Sequence, residues 1–268
     1  MKLSLSNIAW NDTDEPKVFK LLQDNKVSGI EIAPTRIWPA WQGANSHHAS
    51  QIKLAYKKLG FDIPALQAIL FDKPNLQLFG DPENQYELLT HIEKVASYAK
   101  SFGAKSLVFG SPKNRDRGTL SKAQAFSKGV DFFRRAGEVC MQHGVQLCLE
   151  PNPTIYSCNF MTQWQEILDM VNEVSLDGLA VHLDTACISL EGDNIIEAIE
   201  TCEGKISHFH ITEPNLGDFS KPTLDHAVIG KALKKSHYTG WLSVEMRRSE
   251  NPLKSVQEAI EKVKNWYS

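Results

Sequence analysis

The sequence predicts an α/β protein whose residues 1–268 form a single domain, a (β/α)8 TIM barrel. Short apolar runs alternate with longer amphipathic runs along the whole chain, as expected for repeated βα units. A glycine that ends a predicted helix stands before most of the predicted strands. The alternative, an open doubly wound sheet, is disfavoured because no GxGxxG motif follows the first strand.

Each strand is predicted from a short run rich in apolar residues, and each helix from the amphipathic run that follows it. The predicted strands span 2–9, 29–33, 63–70, 106–110, 145–150, 179–184, 206–212 and 241–246. The predicted helices span 16–25, 45–59, 84–102, 121–143, 162–173, 192–203, 226–237 and 252–266. The glycines that separate a helix from the next strand are Gly29, Gly60, Gly103, Gly144, Gly178, Gly204 and Gly240.

The longest irregular segments follow strands, whereas the connections before strands are short glycine turns. These long segments are 34–44, 71–83, 111–120 and 213–225. In a (β/α)8 barrel the loops after the strands all open on the C-terminal face, where such enzymes perform their chemistry. The asymmetry therefore predicts a catalytic barrel.

One side of the predicted strands is apolar, and the other carries polar or ionisable residues. With period two, Phe209 and Ile211 face the helices, whereas His208 and His210 face the barrel lumen. The other lumen positions are Ser4, Ser6, Gly29, Glu31, Gln146, Cys148, Glu150, His182, Asp184, Ser243 and Glu245. Barrel interiors are usually filled by branched apolar residues. A polar lumen therefore indicates a functional site, because it is hard to explain by stability alone.

Four of these residues end neighbouring strands: Glu150, Asp184, His210 and Glu245. Adjacent strands lie about 4.8 Å apart, so four such ends can converge on one ion. Three carboxylates and one imidazole suit Mn²⁺, Mg²⁺, Co²⁺ or Zn²⁺. The alternative is a buried salt-bridge network, but no Lys or Arg faces the lumen on strands five to seven. His182 and His208 are expected one layer deeper, as supporting groups.

Composition excludes several classes of partner. The net charge is −3 and no Lys/Arg-rich run occurs, so no nucleic-acid partner is expected. The sequence contains no run of about 18 apolar residues, so no membrane span is expected. The N-terminal residues also lack the apolar core of a secretory signal. Five cysteines without CxxC spacing favour a reducing compartment over a disulfide framework. A cytoplasmic location is therefore predicted.

The segments GIEIAP, LEPNP, HLDT, HFHITEP and SVEMR together resemble the xylose isomerase-like superfamily of sugar isomerases and epimerases. The resemblance extends over essentially the whole chain. It implies that Glu150, Asp184, His210 and Glu245 ligate one divalent metal ion. It also implies that Glu150 and Glu245 form the acid/base pair on opposite faces of a sugar, and that the chains assemble as a homodimer or homotetramer.

The activity implied by the resemblance is interconversion of keto sugars or oxidised sugar derivatives through an enediolate. Ketose 3-epimerases carry a histidine where this chain has Cys187 and an arginine where it has Leu216. An inosose-type dehydratase with the same metal site is therefore an alternative, and a non-catalytic sugar-binding barrel is another. The sequence lacks a Gly-rich phosphate cradle near the last two strands, which favours non-phosphorylated substrates.

Six further residues are predicted to contact the substrate. They are Trp10, Glu31, Asn152, Cys187, His226 and Arg247. Three of them have an alternative role in the structure itself: Glu31 as a hydrogen-bonded core acid, His226 as a helix cap, and Trp10 as a packing residue. Arg247 is a candidate partner for substrate oxygens, whereas Arg248 is expected at the surface.

Overall fold

The computed structural model describes residues 1–267, in which eight parallel strands form one sheet. The strands are β1 (Lys2–Ser6), β2 (Gly29–Glu31), β3 (Ala65–Leu66), β4 (Ser106–Phe109), β5 (Gln146–Leu149), β6 (Leu179–Asp184), β7 (Ile206–Ile211) and β8 (Trp241–Val244). Their order is β2-β1-β8-β7-β6-β5-β4-β3. Parallel bridges from Gly29 to Asp62 and from Ile32 to Leu66 join the two edge strands. The predicted TIM barrel is confirmed.

Helices surround the sheet and alternate with the strands. They are α1 (Glu15–Asp24), α2 (Pro34–Ile37), α3 (Ser46–Lys58), α4 (Pro82–Phe102), α5 (Lys122–His143), α6 (Trp164–Val174), α7 (Thr185–Leu190), α8 (Ile195–Thr201), α9 (His226–Lys235) and α10 (Pro252–Tyr267). All the predicted helices are found, and the short helices α2 and α7 are additional. Helix α7 starts directly after β6 because the Asp184 side chain accepts a hydrogen bond from the Cys187 N–H.

Strand β3 is much shorter than the predicted span 63–70. Pro64 offers no N–H to a neighbouring strand, and Ala68 adopts a left-handed conformation with φ of 52°. Of the three residues between them, only Ala65 and Leu66 pair with β4. The chain beyond Ala68 therefore leaves the barrel early and becomes part of the C-terminal face.

The glycines before the strands serve two physical purposes. Gly103 and Gly144 end α4 and α5 with φ of 85° and 68°, a conformation in which a side chain would be strained. Gly178 has an ordinary φ, but a Cβ there would lie 2.0 Å from the Gly137 carbonyl oxygen. A Cβ at Gly29 would likewise lie 2.4 Å from the Trp241 ring. Some of these glycines thus provide turns, and others permit close packing.

The hydrophobic core lies between the strands and the helices, where Leu147, Val181 and Phe209 are all fully buried. The lumen is polar, as predicted, and hydrogen bonds cross it. Glu31 on β2 accepts a hydrogen bond from the Ser243 hydroxyl on β8. A register shift after Val181 also brings the Ser207 hydroxyl within 3.0 Å of the Ser106 hydroxyl.

No helix within residues 1–267 is long and apolar enough to cross a membrane. The cysteines at positions 140, 148, 158, 187 and 202 are buried and free. Burial raises the pKa of Cys140 to about 12 and that of Cys148 to about 11, so these thiols remain protonated.

Candidate active site

The C-terminal ends of β5 to β8 bring four of the sequence-predicted residues together. Nδ1 of His210 lies 3.1 Å from Oε2 of Glu245 and 3.7 Å from Oε1 of Glu150. The same nitrogen lies 3.8 Å from Oδ2 of Asp184. Three carboxylates therefore surround one imidazole nitrogen at the mouth of the lumen.

In two of the carboxylates, one oxygen accepts hydrogen bonds from neighbouring groups. The other oxygen is directed towards His210. Oδ1 of Asp184 accepts hydrogen bonds of 2.7 Å from the Cys187 N–H and from the Thr212 hydroxyl. Oε2 of Glu150 accepts a bond of 2.9 Å from the Asn152 amide. Each carboxylate is thus oriented by its neighbours, and Oδ2 of Asp184 and Oε1 of Glu150 face the imidazole.

Glu31 lies beneath the imidazole, deeper in the lumen. Nε2 of His210 lies 3.0 Å from both carboxylate oxygens of Glu31, and Nε2 of His208 lies 3.0 Å from one of them. Burial would raise the pKa of Glu31, but the charges of His210 and His208 outweigh it and hold that pKa well below its usual value. The resulting arrangement, in which a carboxylate fixes the far side of an imidazole, is typical of metal-binding histidines.

The charge distribution fits a divalent cation. Burial raises the pKa of Glu245 to about 7, and burial together with nearby Glu150 raises the pKa of Asp184. Within residues 1–267, the Lys and Arg ion pairs all lie elsewhere. Nδ1 of His210 is buried and has no hydrogen-bond partner in the same residues. None of these Lys or Arg side chains neutralises the three carboxylates, and a bound ion would satisfy all four groups.

We expect Glu31→Gln to weaken divalent-metal binding by about 10–100-fold, the usual effect of losing a partner that orients a metal ligand. The amide would no longer hold the His210 ring through a charged contact. Titration calorimetry of Mn²⁺ or Zn²⁺ into metal-free protein measures the dissociation constant. The matched control is Asp24→Asn, which removes an exposed carboxylate on α1; equal affinities in both variants would contradict the role of Glu31.

Two adjoining cavities open beside the carboxylates, and both are lined by Glu150, Glu245, Tyr156 and Pro112. The small cavity, of about 310 Å³, is further lined by Asn152, Asp184, Ala186, Cys187, Thr212, Glu213 and Leu216. The large cavity, of about 580 Å³, is further lined by His210, Gln67, Ala68, Leu70, Phe71, Asp72, Lys73, Pro74, Val108, Gly110, Ser111, Lys113 and Asn114. The four converging groups thus lie where the cavities meet.

The structure brings two of the predicted substrate contacts, Asn152 and Cys187, into the small cavity. The sulfur of Cys187 groups with ligand atoms of Glu150 and Asp184, all within 4.8 Å of one another. Burial, together with the charges of Asp184 and Glu150, raises the pKa of Cys187 well above its usual value. In the metal-free protein Cys187 therefore offers a neutral thiol to the site.

The other four residues predicted to contact the substrate are not part of the lining of either cavity. Glu31 supports His210 from below and is fully buried. The Trp10 ring packs edge-on against Phe19, with 6.5 Å between centroids. The Arg247 side chain donates hydrogen bonds to the Asn215 carbonyl, which ties together the loops after β7 and β8.

His226 is the fourth of these residues, and both of its ring nitrogens have hydrogen-bond partners. Nε2 lies 2.8 Å from Oε1 of Glu213, and Nδ1 lies 2.8 Å from the Tyr267 hydroxyl. The other oxygen of Glu213 accepts hydrogen bonds from the N–H and hydroxyl groups of Thr223. This buried network joins the loop after β7 to α9 and α10, so His226 stabilises the loop.

We expect Glu213→Gln to lower the free energy of unfolding at neutral pH by about 1–3 kcal/mol, because buried partners lose a charged acceptor. Burial would raise the pKa of Glu213, but its hydrogen bonds to His226 and Thr223 lower it below the ordinary 4.5. The native carboxylate therefore stabilises the fold above that pH and loses this contribution as the pH falls through its folded pKa. Urea unfolding at several pH values should show the variant and the parent converging in acid; a constant difference would contradict this.

Three residues near the site carried no signal in the sequence. Tyr156 lines both cavities, and its hydroxyl accepts a hydrogen bond of 2.9 Å from the Asn215 N–H. Arg115 lies in the irregular segment 111–120 among other charged residues, where an exposed side chain is expected. It is nevertheless fully buried and donates a hydrogen bond to the Glu150 carbonyl. Gly110 leaves room for Glu150, because a Cβ there would lie 2.2 Å from Oε2 of that residue.

The family model described as "Xylose isomerase-like TIM barrel" matches residues 19–266. The chain belongs to this family. Among curated proteins, a D-psicose 3-epimerase of Agrobacterium fabrum is 27% identical over 126 residues, which cover 47% of this chain and 43% of that protein. An L-ribulose 3-epimerase of Mesorhizobium japonicum is 28% identical over 125 residues, covering 47% and 42%. The aligned part of the chain therefore spans less than half the length of these relatives.

Several solved structures have the same fold as this protein over nearly the whole chain. D-Psicose 3-epimerase from Clostridium cellulolyticum, solved with D-tagatose, has a TM-score of 0.84 at 18% identity and full coverage of both chains. The 3-keto-D-glucoside 4-epimerase YcjR from E. coli has a TM-score of 0.79 at 18% identity, covering 99% of each chain. The IOLI protein with a bound zinc atom has a TM-score of 0.74 at 22% identity, covering 99% and 96%.

Proposed function

We propose that this protein is a divalent-metal-dependent sugar epimerase or isomerase that acts on a keto sugar or an oxidised sugar derivative. The observation that carries the proposal is the convergence of Glu150, Asp184 and Glu245 on Nδ1 of His210 beside two cavities. A site with two oriented carboxylates next to a metal position suits removal of a proton α to a carbonyl.

The two glutamates divide the proton transfer between them. One carboxylate removes the proton from the carbon next to the carbonyl, which leaves an enediolate. The other glutamate, Glu150 or Glu245 according to the direction of reaction, returns a proton on the opposite face for epimerisation. Isomerisation instead returns the proton to the neighbouring carbon. The metal ion would be held by Glu150, Asp184, His210 and Glu245 and would supply a Lewis acid that stabilises the enediolate charge.

The names of the similar proteins support this class of reaction. The curated relatives are a D-psicose and an L-ribulose 3-epimerase, and one structural neighbour is a 3-keto-D-glucoside 4-epimerase. The zinc atom in the IOLI protein supports a metal ion in this fold. Two positions depart from the ketose 3-epimerase pattern: Cys187 replaces a histidine and Leu216 an arginine, and both line the small cavity. We infer that the substrate differs from those of the named relatives.

Exchange in deuterated water tests the proposal. The metal-loaded protein is incubated with a panel of keto sugars and their oxidised derivatives, and the products are followed by NMR. Incorporation of deuterium at the carbon next to the carbonyl, with a new epimer or isomer, supports the proposal. Loss of water from the sugar would show that the protein is a dehydratase instead of an epimerase or isomerase. Sugar binding without exchange or dehydration would show that it is a binding protein.

Three finer features remain predictions of the proposal. They are the identity of the ion among Mn²⁺, Mg²⁺, Co²⁺ and Zn²⁺, assembly as a homodimer or homotetramer, and a cytoplasmic location. Elemental analysis of protein purified without chelator determines the ion. Light scattering of the same sample measures the molar mass against 30.1 kDa for one chain.

A further inference from the structure

The large cavity offers more space than one sugar ring requires. Its volume of about 580 Å³ falls in the range of about 300–1,000 Å³ that buries drug-sized ligands. A free hexose is a much smaller molecule. The small cavity, of about 310 Å³, adjoins the same carboxylates. Two compartments therefore meet at Glu150 and Glu245, and a single hexose would leave one of them empty.

The lining of the large cavity is suited to the apolar face of a ring. Leu70, Pro74, Val108 and Pro112 contribute to it, and Phe71 lies on its wall with 59% of its surface exposed. Large aromatic side chains bind flat apolar faces, including those of aromatic rings and sugars, by stacking. Phe71 is therefore available for a ligand that enters from the C-terminal face.

The loops that carry this lining are fixed in place by hydrogen bonds. The Trp41 indole N–H donates a bond of 2.8 Å to the Phe71 carbonyl. The Asn114 amide donates bonds of 2.7 Å to the carbonyls of Lys73 and Leu76, which ties the loop after β4 to the loop after β3. The backbone around Phe71 is thus fixed by its surroundings, and its exposed ring is directed by that backbone.

Three non-glycine residues on the same lining adopt left-handed conformations. The φ angles of Ala68, Asp72 and Ser111 are 52°, 62° and 49°. Such conformations cost of order 1–3 kcal/mol each and concentrate at ligand sites, where the surrounding structure enforces them. Their grouping around one cavity indicates a shaped binding wall rather than an incidental gap between loops.

We propose that the natural substrate is a glycoside of an oxidised sugar, with a keto group at a ring carbon other than the anomeric one and a second ring that occupies the large cavity against Phe71. This inference rests on the proposed function and specifies the substrate class of the same site. The reacting sugar lies where the two cavities meet, with its carbonyl near Glu150 and Glu245. The second ring is either another sugar or an aromatic aglycone, since both present a flat apolar face.

Equilibrium binding of unreactive probes tests the inference without turnover. The probes are methyl β-D-glucopyranoside, phenyl β-D-glucopyranoside and the disaccharide cellobiose, titrated into metal-loaded protein by calorimetry. Stacking of one ring contributes about 1.4 kcal/mol, which corresponds to about tenfold in affinity. We expect the phenyl glucoside, cellobiose or both to bind about tenfold more tightly than the methyl glucoside, and the tighter ligand identifies the kind of second ring.

The variant Phe71→Ala should reduce this tenfold preference to about threefold or less. The matched control is Tyr86→Ala, which removes another exposed aromatic ring, on α4 and outside both cavities, and should retain the preference. Equal affinity for all three probes, no detectable binding of the two larger probes, or a preference that survives in Phe71→Ala would each overturn the inference. Deuterium exchange with keto sugars reports separately on the proposed function.

Discussion

The variant His210→Ala is expected to lose the bound metal ion and, with it, all measurable deuterium exchange. Nδ1 of His210 is the atom on which Glu150, Asp184 and Glu245 converge. Its removal takes away one ligand and leaves three buried carboxylates close together. We expect metal affinity to fall by more than the roughly 100-fold that follows loss of a supporting partner. Elemental analysis should find about one ion per chain in the parent protein and none in the variant.

The matched control is His237→Ala, because His237 is an exposed histidine whose partner is Glu203. Its metal content should equal that of the parent. Circular dichroism of both variants separates loss of metal from loss of fold, and Asp184→Asn provides a second ligand variant if His210→Ala does not fold. Retention of a full equivalent of metal in His210→Ala would contradict the four-residue metal site and favour a buried hydrogen-bonded network.

The second large effect is expected for Glu245→Gln, which should slow deuterium incorporation by about 10²–10⁴-fold, the usual contribution of a general acid or base. The amide keeps the size of the side chain and one oxygen, but it cannot take up or release the proton. Burial raises the pKa of Glu245 to about 7. The measurement is the exchange rate per bound metal ion, so that weaker metal binding is not counted as slower chemistry.

Glu203→Gln removes an exposed carboxylate and is the control for Glu245→Gln. The companion variant Glu150→Gln should lose a similar factor, since epimerisation requires an acid and a base. If Glu245→Gln exchanged deuterium at the parent rate with metal bound, another group would have to carry the proton. Tyr156, which lines both cavities, would then be the next residue to substitute.

The barrel and the convergence of four residues could be predicted from the sequence because both depend on local patterns. Period-two alternation assigns His208 and His210 to the lumen, and the ends of parallel strands meet on one face of a barrel. Knowing that Glu150 and Asp184 end their strands is therefore enough to bring them together. The short length of β3 was missed, since it depends on the left-handed conformation of Ala68.

The roles of the supporting residues were decided only by the tertiary structure. The sequence leaves Glu31 as a substrate ligand or a core acid, and only the fold shows its contact with His208, 177 positions away. The same holds for His226, whose partners are Glu213 and Tyr267. These pairings depend on barrel closure and on loop conformations that no local pattern encodes.

The shapes of the two cavities were likewise decided only by the tertiary structure. Nothing in the sequence distinguishes Phe71 from other loop residues. It lines the large cavity because Trp41 and Asn114 fix the loops around it. Side-chain periodicity repeats every few residues, so it determines which residues face the lumen. The shape of a cavity depends on contacts between distant loops, and for that reason the sequence determined the chemistry of this site while the tertiary structure determined its size and its walls.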